Sequence, residues 1–108
     1  MSKDNKSELF VAAIRGTQKL KITFDSKESG VITRTVIPMD IGPWKRIPGS
    51  TQMRYHMIDL DSTAGQHPLS VLPEQIVSMD LLAERFNPED FVRWTPSWHT
   101  ARDWGVLS

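Results

Sequence analysis

The side chains best suited to chemistry in this chain are basic and aromatic groups that lie close together. Trp44 is followed by Lys45 and Arg46, and from Met53 to Ile58 the residues alternate. In an extended strand this alternation puts Arg54, His56 and Ile58 on one face and Met53, Tyr55 and Met57 on the other. Small β domains hold nucleotides with this combination, stacking bases on aromatic rings and meeting phosphates with Lys or Arg. Trp44, Arg46, Arg54, Tyr55 and His56 are therefore the candidate ligand-binding residues. The ligand they suit is anionic, either single-stranded nucleic acid or a nucleotide-like small molecule. Lys19, Lys21 and Arg34 extend the basic set, although lysines opposite an apolar face also serve to solvate it and to protect a strand edge.

A second cluster lies near the C-terminus, where Trp94, Trp98 and Trp104 are interspersed with Arg93, His99, Arg102 and Asp103. Each tryptophan ring can bury ~150–250 Å², more than a solvated tail needs. Folded back, the three rings would close a small core. Left exposed, Trp94, Trp98 and Trp104 would, together with an edge strand, be partner-binding anchors of an interaction module docking on a larger regulatory protein, since Trp and Arg are frequent interface anchors. Fold-back is the preferred expectation, because a permanently exposed triple-tryptophan segment invites aggregation.

Other chemistries find little support. The chain has no cysteine, which removes disulfides, thiolate nucleophiles and thiolate metal sites, and which fits a reducing, cytoplasmic compartment. His56, Asp59, Asp61, His67 and His99 match no compact metal-ligand spacing. Neither a nucleophile elbow nor a glycine-rich phosphate loop is present. A protein without catalytic centre, metal or cofactor is expected. Thirteen Lys plus Arg offset thirteen Asp plus Glu, so any polyanion must be held by a local patch rather than by net charge. No apolar run approaches the ~20 residues that span a bilayer, so no membrane partner is expected.

The elements that must position these residues follow from periodicity. Residues 1–6 are polar and read as a disordered start. Leu9, Phe10, Ala13 and Ile14 recur at helical spacing between Ser7, a capping residue, and Gly16, a stop. Leu20, Ile22 and Phe24 alternate with polar residues, and Val31 to Ile37 is rich in β-branched residues. The two read as a hairpin, with Pro38 ending or kinking its second strand. Short strands follow at 53–58, 69–72 and 76–82, the last after a tight turn at Pro73, and Asn87-Pro88 starts one helical turn. One helix followed by about five short strands implies a mainly β domain, a small bent sheet or barrel over residues 7–93, with residues 94–108 as its tail.

The strings LFVAAIRGTQKLKITF, GVITRTVIPMDI and VSMDLLAERFNPEDF, in this order over most of residues 9–92, resemble the WYL domain, an Sm-like or SH3-like β-barrel of bacterial transcription regulators. The resemblance implies a ligand-sensing or nucleic-acid-binding barrel. Of the Trp-Tyr-Leu strand that gives the family its name, Trp44 is the residue that carries over, and Met53-Arg54-Tyr55-His56 resembles the family's basic strand. The stretch before the first strand has room for one short helix rather than a helix-turn-helix, which implies a stand-alone or divergent copy.

Overall fold

The computed structural model of the chain describes residues 5–43, 47–62 and 65–108. Two candidate ligand residues, Trp44 and Arg46, lie outside the described residues. Helix α1 spans Asn5–Gly16, beginning two residues before the expected cap. It buries Phe10, Ala13 and Ile14 completely, as the spacing of its apolar residues dictates. At its end Thr17 turns the chain with a positive φ of 50°, and its N–H bonds to the Ile14 carbonyl.

Five strands follow: β1 (Gln18–Asp25), β2 (Val31–Pro43), β3 (Met53–Asp59), β4 (His67–Val71) and β5 (Ile76–Arg85). They form one antiparallel sheet in the order β4-β3-β2-β1-β5, so the fold is mainly β with a single α-helix among the described residues, as alternation implied. Leu20, Ile22, Phe24 and Val36 are all buried. The direct pairings Leu20 with Val36 and Phe24 with Ile32 set these side chains on one face, toward α1. A tight turn joins β1 to β2, with Ser26 N–H bonded to the Gly30 carbonyl. Gly30 at φ +73° supplies the left-handed conformation that this turn requires. Asn87 caps the 3₁₀ turn Pro88–Asp90 by accepting from the Glu89 N–H.

Strand β2 departs from expectation, for it runs through Pro38 to Pro43 rather than stopping at the proline. Its last pairing with β1 is at Val36, and beyond that residue it pairs with β3 alone. Pro38 therefore sits where the strand has a neighbour on one side only, and an absent N–H costs little there. An irregularity between Pro38 and Asp40 shifts the register at Met39, which brings Asp40 opposite His56. Residues 38–43 are thus the second half of a 13-residue strand. Strand β4 likewise begins at His67, two residues before the expected start at 69, and β5 extends to Arg85 rather than 82.

Residues 36–40 of β2 are buried without interruption, so both faces of the strand are covered there. The C-terminal segment accounts for the second cover. Phe91, Phe86, Trp104, Trp98 and Trp94 follow one another edge to face at ring separations of 5.5–6.2 Å, the offset that the ring quadrupole favours. The Trp104 Nε1–H donates at 2.9 Å to the Ile14 carbonyl, whose second lone pair is free to accept beside the bond from Thr17. Trp98 Nε1–H donates to the Leu107 carbonyl at 2.8 Å, and Arg15 Nε donates to the Ala101 carbonyl. Trp104 is 8% exposed. Replacing it with Ala should lower stability by about 3–5 kcal/mol in denaturant titration. Val106→Ala, at a side chain 93% exposed, should stay within about 0.5 kcal/mol of wild type.

Candidate ligand-binding cleft

Asp40 is the one charged residue in the run from Val36 to Pro43, and it is buried. A carboxylate taken out of water must find several donors, and the tail provides them. The backbone N–H groups of His99 and Thr100 each donate to Asp40 at 2.9 Å, and Arg102 Nη2 approaches at 3.2 Å. Arg102 Nη1 also donates to the Met39 carbonyl and its Nε to the Thr100 carbonyl. The guanidinium lies 4.0 Å from the Trp98 ring centre and 4.4 Å from that of Trp104, so π-faces complete its surroundings. Burial pulls the Arg102 guanidinium down to about 10, with the Asp40 carboxylate acting against that fall. At neutral pH the group remains a cation and the pair is ionic.

This latch lays the tail across the outer face of β2 and β3 and creates a cleft of about 230 Å³. The sheet contributes His56 and Ser70, the tail contributes Trp94, Ser97, Trp98 and His99, and Pro43, Pro68 and Leu69 add apolar wall. His56 is opposite Asp40 on β2 and Ser70 on β4. Its Nε2 lies 2.8 Å from the Gly42 carbonyl oxygen and its Nδ1 2.8 Å from Ser70 Oγ. Arg54 Nη1 donates to the Ser70 carbonyl at 3.4 Å, which sets a cation beside the cleft. Glycine at 42 lets the His99 ring lie on the strand, for a Cβ there would be 2.3 Å from His99 Cδ2 and the ring would have to shift.

The structure brings together some of the sequence-predicted residues and separates others. Arg54 and His56 share the outer face of β3, as period two requires. Tyr55 is the exception among the candidate ligand residues described. It points into the core at 6% exposure, and its ring meets Phe10 edge-on with centroids 5.0 Å apart. A ligand on the Arg54 face cannot reach it. Of the tail tryptophans, Trp104 and Trp98 are committed to intramolecular packing, whereas Trp94 is 51% exposed and forms one wall of the cleft. Other charged candidates are engaged elsewhere: Arg34 pairs with the buried Asp59 at 3.2 Å, and Asp61 accepts from the Thr35 N–H. Sequence reasoning missed Asp40, Arg102, Ser70 and Gly42. For the first two a signal existed, a lone acid inside a buried-looking strand and an arginine flanked by tryptophans.

No family model matches the chain, and no curated protein matches it. Among solved structures the chain is similar to proteasome accessory factor B/C (PafBC) of Arthrobacter aurescens, with 17% sequence identity and a TM-score of 0.49. The similarity covers 79% of this chain and 13% of that one.

The latch carries a direct prediction. Arg102→Ala strands a buried carboxylate and should cost about 3–5 kcal/mol in chemical denaturation. Arg102→Lys should recover little of it, because an ammonium cannot reproduce the planar fork between two rings. Gly42→Ala should expel the His99 ring, seen as loss of protection of the His99 and Thr100 amides in hydrogen exchange.

Proposed function

We propose that this chain is a non-catalytic binding module whose cleft receives one nucleotide-like unit of an anionic ligand. One observation supports this reading: a half-exposed tryptophan and a histidine-serine pair, drawn from three separate segments, line one small cleft, and an arginine bonds the backbone of that serine. Trp94 offers a π-face on which a base can stack. Ser70 Oγ, held by His56 Nδ1, presents a polar atom to its edge, and Arg54, bonded to the Ser70 carbonyl, supplies a cation for a phosphate. The volume, about 230 Å³, is below the ~300–1,000 Å³ of sites for drug-sized molecules. It suits one heteroaromatic ring with its phosphate outside. The unit can belong to a free nucleotide or to single-stranded nucleic acid, and a sensing role within a regulator agrees with the WYL resemblance.

Two probes separate these sources, 3′,5′-cyclic AMP and oligothymidylate, followed through tryptophan emission at low salt. Oligothymidylate binding should weaken steeply with added salt, and Arg54→Ala should reduce the slope of log K against log salt by roughly one phosphate. Trp94→Ala should cost about 1–3 kcal/mol with whichever probe binds. If neither probe binds to the wild-type chain at low salt, the proposal is wrong.

A second reading has its own observation. Strand β5 is an edge of the sheet, with Val77 57% and Leu81 41% exposed, and a partner protein could add a strand there. Such docking would vary little with salt and would be insensitive to Trp94→Ala.

A further inference from the structure

The hydrogen bonds of His56 determine more than its orientation. A carbonyl oxygen can only accept, so the nitrogen beside it, Nε2 at 2.8 Å from the Gly42 oxygen, must carry a proton. In the neutral ring Nδ1 is then the acceptor, and the hydroxyl 2.8 Å away on Ser70 must donate to it. When the ring takes up a second proton, both nitrogens become donors. Ser70 Oγ must then accept from Nδ1, and its own hydrogen turns away from the ring. Ser70 lines the cleft beside His56, and among the described residues His56 is the partner recorded for its hydroxyl.

We infer that Ser70 is the specificity-determining donor of the cleft and that the protonation state of His56 sets its direction. The inference rests on the binding reading above and adds to it how the site chooses between ligand charges. With His56 neutral, the cleft presents the lone pairs of Ser70 Oγ and favours a ligand that donates. With His56 protonated, the same cleft presents an O–H and a nearby cation, and favours an anionic acceptor.

The groups around His56 fit this role. Across β2 lies Asp40, whose carboxylate is held by the His99 and Thr100 amides and by Arg102. Arg54 lies two residues along β3 and bonds the Ser70 carbonyl. From β4 comes Ser70 itself, and from the tail comes His99, a second imidazole lining the cleft. Imidazole is the side-chain type that ordinarily exchanges a proton nearest neutral pH, and the cleft holds two, His56 and His99. Of the two, His56 has the serine hydroxyl as its recorded partner.

The test measures, in the full chain, the ratio of affinities at pH 5.5 and pH 8 for oligothymidylate and for 3′,5′-cyclic AMP. Their phosphodiesters do not titrate in this range, so the ratio reports on the protein. Wild type should bind more tightly at the lower pH. Ser70→Ala keeps both imidazoles but removes the hydroxyl, and should reduce the ratio about fivefold or more, since a hydrogen bond to an anion is among the stronger kinds. Ser70→Thr should restore it. His56→Gln holds the neutral pattern at every pH, with an amide N–H for Gly42 and an amide oxygen for Ser70, and should leave only the dependence due to His99. Tryptophan emission of each free variant verifies that the tail remains docked. Nitrogen-15 NMR of the ligand-free protein at pH 8 should show His56 with its proton on Nε2.

A ratio for Ser70→Ala equal to wild type, or a proton found on Nδ1 at pH 8, overturns this inference while leaving the binding reading intact. Failure of both probes to bind wild type at either pH ends both.

Discussion

A buried carboxylate in the middle of a strand places a demand on everything around it. Asp40 sits in β2, where residues on both faces are covered, and desolvating its charge would be ruinous without donors. Two backbone amides and a guanidinium answer it, all from residues 99–102. The demand is mutual, because the Arg102 side chain is itself fully buried and needs an anion, the Met39 carbonyl and two tryptophan faces. Apolar packing alone would hold the tail anywhere that rings could be covered. The ionic contact instead specifies one register of tail against sheet, a use of buried charge better attested than any gain in net stability.

From that register the remaining geometry follows. With residues 99–102 anchored on β2, Trp104 reaches the end of α1 and Trp98 closes over the guanidinium, so helix, sheet and tail share one aromatic layer. The bulge at Met39 is part of the same arrangement, because it turns Asp40 to the outer face beside His56. Gly42 then allows the His99 ring to lie directly on the strand. The cleft is the space left between the anchored tail and the upper end of β3 and β4. Its walls therefore come from four parts of the chain, between Met39 and His99, and its shape depends on the latch remaining closed.

The chemistry proposed for the cleft is economical in its parts. A single ring for stacking, a hydroxyl whose direction is set by its neighbour and an arginine outside are enough to distinguish a phosphorylated base from an uncharged one. Net neutrality of the chain is compatible with this, since a local arrangement of two or three groups provides the selectivity that bulk charge does not.

Much of the fold was legible in the sequence. Alternation in Leu20, Ile22 and Phe24, the helical recurrence of Phe10, Ala13 and Ile14, and the capping residues at 87 and 88 each report a local preference, and local preferences survive folding when the core needs them. The same period-two rule correctly put Arg54 and His56 on one face and also opposed Tyr55 to them, which should have excluded Tyr55 from the site once the other two were chosen. What tertiary structure alone decided is which face of β3 would meet water, how far β2 would run past Pro38, and where the tryptophans would go. Pro38 reads as a terminator because its missing N–H matters only if a neighbour is there to accept it, and strand order is not a local property. Asp40 and Arg102 are 62 residues apart, so nothing in either neighbourhood names the other. Their attraction acts only after the hairpins have formed, and the cleft exists only after it has acted.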